Sequence, residues 1–328
     1  MGVECCVILD EAQRSFLDRL LPLPEGLDLR LVRERDTAEV RAALSRAEVV
    51  VARHFPIWMA ESTRHLRLLH TFAGGFDDVA YEALPPRAVV AEAGGYEASV
   101  AEHVMLLLLA LVKNLPLSER AGRRGCRLPG DAGLSPVLEL SGRTVGILGF
   151  GRVGREVARR LAPFDCDILG LKRTPDGYLK ELMGLMELGG KEFLATLLRA
   201  SDVLVVTLPL TTETRGLLGE RELESMKPGA FVVNVSRAAV VAEDPLYQAL
   251  ASGHIRGAAL DVSYDEHAKD SPTAHRAFER LGNVILTPRM AGYTDGSIAR
   301  AQSVLAENLA RFLRHEELTN TIEFGVAR

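Results

Sequence analysis

With 328 residues, 47% hydrophobic and 25% charged, the chain is long enough for two domains with substantial cores. A net charge of −5 with only local basic clusters argues against nucleic acid as a partner. The four cysteines, Cys5, Cys6, Cys126 and Cys166, form no CxxC pair and no His-linked metal spacing, so neither a disulfide framework nor a metal site is expected.

A reducing, cytoplasmic setting follows as the expectation. No basic segment precedes an apolar stretch near the N-terminus, so no signal peptide is expected. The longest apolar run, Val104–Val112, is too short to span a bilayer, and no membrane partner is expected.

Along the chain, short apolar runs alternate with helix-like segments. Val3–Leu9 reads as a strand and Glu11–Leu21 as a helix; Val49–Ala52, Leu66–Phe72 and Ala88–Ala91 read as further strands. Ala98–Asn114 reads as a long helix, apolar over most of its surface and therefore buried. Leu115–Leu140 is rich in Gly, Pro and Arg with weak periodicity and reads as a connecting arm. A second series then opens. Its predicted strands are Thr144–Leu148, Asp167–Leu171, Val203–Thr207, Ala230–Asn234, Gly257–Leu260 and Val284–Thr287. Helices are predicted at Val153–Ala162, Glu192–Arg199, Asp244–Ser252 and Thr294–Arg314. The pattern predicts an α/β chain of two Rossmann-like doubly wound domains. The first is discontinuous, residues 1–102 with 296–328, and binds substrate; residues 103–295 form the dinucleotide-binding domain.

The strongest local signal is Gly149-Phe-Gly151-Arg152-Val153-Gly154, placed between an apolar strand and a helix. In that context a GxGxxG run cradles a pyrophosphate. Gly149 makes the tight turn, Gly151 admits the phosphates, and Gly154 packs helix on strand. The free N–H groups of the helix start face the anion, with Arg152 and Val153 beside it. The other reading is an ordinary Gly-rich turn. About 20 residues on, where an NAD site has a carboxylate for the ribose 2′-hydroxyl, the strand Asp167–Leu171 runs into Lys172-Arg173-Thr174. Two cations and a hydroxyl suit a 2′-phosphate, so NADP(H) is expected over NAD(H). A solvated Lys-Arg pair is the plainer alternative.

Taken with Val100-Ala-Glu-His103, Val206–Thr211 with Thr214, Asn234-Val-Ser-Arg237, Gly257–Val262 and Asn283–Pro288, the chain resembles the D-2-hydroxyacid dehydrogenases over nearly its whole length. That family includes glyoxylate and hydroxypyruvate reductases, and the cofactor site is similar to those that use NADPH. The resemblance implies hydride transfer between nicotinamide and a 2-oxo or 2-hydroxy acid. It places Arg237 on the substrate carboxylate and carbonyl, Glu266 as the catalytic carboxylate, and the Ala73-Gly74-Gly75 backbone as a substrate cradle. It puts Leu208, Pro209, Thr214, Val235, Ser236 and Asp261 at the cofactor, and gives His103 a structural role. A homodimer is implied, with Leu115–Leu140 as its arm, and an active site in the cleft between domains.

One position departs. Where the family has its general-acid His after Thr-Pro, the run is Thr287-Pro288-Arg289. Arginine titrates above about 12 and does not donate a proton at neutral pH, whereas general acid–base catalysis is worth about 10²–10⁴ in rate. Four readings follow. The proton comes from water or another side chain, Tyr293 and His267 being nearest in sequence; Arg289 binds a second anionic group of a dianionic substrate; the reaction needs no proton step; or the chain is an NADP(H)-binding sensor or an inactive paralogue.

Overall fold

A computed structural model describes residues 2–9, 24–72, 79–128, 130, 136–264 and 276–322. The chain divides into two compact units, Met1–Tyr96 with Tyr293–Arg328, and Glu97–Gly292. Both crossings fall earlier than the sequence suggests. Helix Glu97–Val112 packs as one piece on helix Arg152–Leu161 and so belongs whole to the second unit. Thr294 caps helix Asp295–Leu313 by accepting the Ser297 N–H at 3.1 Å, which places that helix start in the first unit.

The first unit holds a six-stranded sheet of β1 (Val3–Leu9), β2 (Leu27–Arg33), β3 (Val49–Ala52), β4 (Leu68–Thr71), β5 (Val89–Glu92) and β13 (Thr321–Ile322). Its order is β13-β5-β4-β3-β1-β2, parallel except where β13 runs antiparallel to β5. A parallel strand covered on both faces reads as a continuous apolar run, and the Cys5–Ile8 stretch of β1 is one. Cys5 and Cys6 are each 1% exposed and point to opposite faces, Cys5 toward Leu305 and Leu309, Cys6 toward Val40 and Leu44. Burial pushes both thiols up to about 12, so they act as small apolar groups. Strand β2 and helix Thr37–Leu44 are absent from the sequence reading, and helix Glu11–Leu21 lies outside the described residues.

The second unit holds seven parallel strands: β6 (Thr144–Leu148), β7 (Asp167–Leu171), β8 (Glu187–Gly189), β9 (Val203–Val206), β10 (Ala230–Asn234), β11 (Ile255–Leu260) and β12 (Val284–Leu286). Their order, β8-β7-β6-β9-β10-β11-β12, runs outward from β6 in both directions, so strand order reverses between β6 and β9. In open α/β sheets that reversal point, at the carboxyl ends of the strands, is where ligands bind. Helix Glu97–Val112 lies in the core on one face, with Val104, Leu107 and Leu108 packed among Val145, Ile147, Val205 and Val233. The segment read as an irregular arm opens with a helix, Leu115–Arg123. Asn114, in the left-handed conformation, sits at the break where the two helices bend by 63°, and Pro116 suits the first helical turn. Among the described residues no single helix is long and apolar enough to cross a membrane.

Candidate functional site

Because all seven strands of the second unit are parallel, their carboxyl ends lie along one edge of the sheet. Most sequence-singled residues of this unit that are described sit there. After β6 comes Gly149 at φ +107, a conformation suited to glycine. A Cβ on Gly149 would stand 2.8 Å from Leu208 N and from the Thr207 carbonyl carbon; one on Gly154 would stand 2.6 Å from Gly149 O. These two glycines let the β6 turn, the β9 loop and the helix close on one another. Thr207 reinforces the closure, its Oγ1 donating to Gly149 O at 2.7 Å. Gly151 differs: nothing of the described chain comes within 4 Å of its Cβ position. It begins helix Arg152–Leu161 as an N-cap with no side chain to cap the first turn of a ten-residue helix.

Arg152 opens that helix and is paired with Glu97, Nε to Oε1 at 3.2 Å. Burial, and then the neighbouring Arg155 cation, hold its guanidinium below the ordinary range. Val153 is half-buried behind it, against the core.

After β7, Lys172 is half-buried and Arg173 and Thr174 are exposed. The first acid downstream, Asp176, accepts the Tyr178 N–H at 2.9 Å as the N-cap of helix Gly177–Leu182. Lys191 adds a cation nearby through Glu213, which it pairs at 2.7 Å; Lys191 chiefly, and Arg173 more weakly, lower the Glu213 carboxyl. The sequence reading missed Lys191, which opens the short 3-10 helix Lys191–Phe193, well beyond the Lys172-Arg173-Thr174 motif in sequence.

After β9, Leu208 is half-buried and Pro209 exposed. Thr214 shapes this loop, its Oγ1 donating to Pro209 O and accepting the Thr211 N–H, at 2.7 and 2.8 Å. At the end of β10, Asn234 is fully buried and acts as a clamp. Its Oδ1 accepts Ser236 N and Oγ at 3.0 and 2.9 Å, and its Nδ2 donates to Arg237 O at 3.1 Å. Val235 lies between them, half-buried, and Arg237 leaves this clamp from a half-buried position, its Nη1 donating to Ser236 O at 2.9 Å.

After β11, Asp261 is 4% exposed. Its carboxylate accepts Thr287 Oγ1 at 2.6 Å and the Met290 and Ala291 N–H groups at 2.9 Å each. The acid placed at the cofactor by resemblance is thus also the centre of the turn after β12. Within that turn Arg289 is exposed, with φ +53 and its N–H on Thr287 O at 3.0 Å. Ala73, Gly74, Gly75, Glu266 and His267 lie outside the described residues, and Tyr293 belongs to the first unit.

Comparison with known proteins bears on this edge directly. A family profile described as D-isomer specific 2-hydroxyacid dehydrogenase, NAD binding domain, matches residues 105–291. A D-3-phosphoglycerate dehydrogenase of Archaeoglobus fulgidus is 29% identical over 87% of this chain and 54% of its own. The chain therefore spans about half the length of that relative. A glyoxylate reductase of Thermococcus litoralis is 31% identical over 82% of this chain and 80% of its own. The solved structure of a 2-hydroxyacid dehydrogenase from Ketogulonicigenium vulgare superposes with a TM-score of 0.79 at 26% identity, covering 98% of this chain and 99% of that one.

Proposed function

The chain belongs to the D-isomer specific 2-hydroxyacid dehydrogenase family, and from that premise we propose that it is an NADPH-preferring oxidoreductase acting on a small 2-oxo or 2-hydroxy acid. The observation that carries this reading is the shared sheet edge. In strand order along that edge, β7 presents the Lys172-Arg173 pair, β6 beside it the glycine turn, and β10, one strand further on beyond β9, presents Arg237.

The residues present fit a dinucleotide. Gly151 leaves room for close backbone approach, and a helix start without a side-chain cap at Gly151 suits N–H donation to a pyrophosphate. Lys172, Arg173 and Thr174 stand where a carboxylate would repel a 2′-phosphate; that is the ground for NADP(H) over NAD(H). A bound reduced nicotinamide supplies the hydride. Arg237, fixed through the Asn234 clamp, holds the substrate carboxylate and stabilises charge growing on the carbonyl oxygen. Arg289 binds rather than protonates: it adds a second permanent cation, which suits a substrate with a second anionic group. The proton then reaches the alkoxide from water. The exposed side chains of Leu115, Leu117, Leu128 and Val137 support a homodimer joined through the Leu115–Leu140 arm.

The test is NADPH consumption with glyoxylate, hydroxypyruvate, phenylpyruvate and the dianion oxaloacetate, beside Arg237→Ala. Consumption that disappears in the variant is expected. Arg289 itself favours one second reading, an NADP(H)-binding sensor or inactive paralogue. Tight NADPH binding without consumption of any acid would put that reading first.

A further inference from the structure

Helix Glu97–Val112 is apolar along its buried face, yet His103 sits on it with a side chain only 9% exposed. A buried imidazole is held by its hydrogen bonds, and those of His103 reach a distant part of the chain. Its Nε2 lies 3.2 Å from Thr287 Oγ1 and 3.6 Å from Asp261 Oδ1.

The proton positions follow from counting donors. The Thr287 hydroxyl has one proton, and its 2.6 Å bond to Asp261 Oδ1 directs that proton at the carboxylate. Only lone pairs remain on Thr287 Oγ1, so His103 presents Nε2–H to them. Asp261 meanwhile gathers the Met290 and Ala291 N–H groups on the far side of Arg289. The turn 287–291 is therefore tied at both ends to one carboxylate, and the Arg289 N–H closes on Thr287 O. That closure accounts for a non-glycine residue at φ +53, a conformation that persists where surrounding contacts over-determine it.

We propose that His103 is a positioning residue that sets the aim of Arg289, acting through Thr287 and Asp261. The proposal rests on the reading above, in which Arg289 meets the substrate. Removing the Nε2–H donor frees the Thr287 hydroxyl to rotate and Asp261 to re-aim, and the turn relaxes out of its left-handed conformation. A cation displaced by about 1 Å loses on the order of 10²-fold in rate.

The experiment compares His103→Leu with His103→Gln, whose amide N–H₂ reaches the position of Nε2. In steady state with NADPH and the best acid of the panel, H103L should lose about 10–100-fold in kcat while the NADPH Kd moves less than about twofold. H103Q should recover most of that rate. In an Arg289→Ala background the loss on adding H103L should vanish, because the aim of an absent side chain has no effect. Equal loss in H103L and H103Q, or full additivity with R289A, overturns the proposal. A readout independent of turnover is native-state hydrogen exchange of the Met290 and Ala291 amides, expected to speed up in H103L and to stay protected in H103Q. If wild-type protein consumes no acid, the functional reading fails on its own, and the exchange measurement still decides this one: unchanged protection in H103L overturns it.

Discussion

Asn308 Nδ2 lies 3.1 Å from His70 Nε2 in the core of the first unit, joining helix Asp295–Leu313 to β4. Both side chains are fully buried, and Asn308 is itself held by Thr319, donating to its carbonyl at 2.9 Å and accepting its N–H at 2.9 Å. The Asn308 amide donates, so Nε2 is the acceptor and the ring is neutral. Burial holds the His70 imidazole down at about 4.

Acid should therefore unfold this unit by a nameable route. Between about pH 6.5, the ordinary histidine value, and about 4, the unfolded chain binds a proton at residue 70 that the native state refuses. The neutral ring's contribution is complete above about 6.5, falls as pH drops, and levels off near 4. Its full size is about 3 kcal/mol. His70→Gln keeps an acceptor and cannot titrate. Urea midpoints measured from pH 7 to pH 4 should fall less steeply in H70Q than in wild type; parallel slopes would sink the assignment.

The three glycines of the dinucleotide turn should separate on substitution. Gly149→Ala and Gly154→Ala force a methyl against backbone at 2.8 and 2.6 Å and should each cost about 1–3 kcal/mol of stability. Gly151→Ala meets nothing of the described chain within 4 Å, and its φ of −89 suits alanine. Its melting temperature should stay near wild type while NADPH affinity falls by tenfold or more. A melting-point loss in G151A equal to that in G154A contradicts the assignment.

Cofactor choice should shift with Arg173. Arg173→Ala removes a planar, permanently charged donor beside Lys172 and should raise the KM for NADPH about tenfold, leaving that for NADH nearly unchanged. The same shift for both cofactors would place Arg173 outside the phosphate-binding set. Lys191→Ala, made in parallel, measures whether the cation paired with Glu213 also contributes.

Where burial is continuous the sequence was legible. The interior strands β1, β3, β6, β7 and β10 each contain a buried stretch of four or five consecutive residues, nearly all apolar or glycine, and their observed bounds coincide with the expected ones. Edge elements were harder. In β2 the residues Leu27, Leu29 and Leu31 alternate with Asp28 and Arg30, a half-exposed pattern that could have been read and was not. Strands β8 and β13, three and two residues long, exist through their pairing and have no local signal of their own. The Asn234 clamp and the left-handed Arg289 were likewise out of reach, because each depends on hydrogen bonds rather than on residue type. His103 and Thr287 stand 184 positions apart, so their contact is visible only once β12 lies beside β11.

The discontinuity of the first unit fixes an order of events when the chain is made. Cys5, Val7, Val49, Val51 and Leu68 form one face of its sheet, and the cover for that face is Leu305 and Leu309. Those leucines leave the ribosome only after every strand of the second unit has emerged. The second unit can complete its core while the first still shows a bare apolar wall, with His70 awaiting Asn308. Nascent chains of this protein thus present a hydrophobic surface for the time taken to translate about 200 residues, on the order of 10–40 s at ordinary elongation rates, and chaperone engagement should be concentrated in that interval.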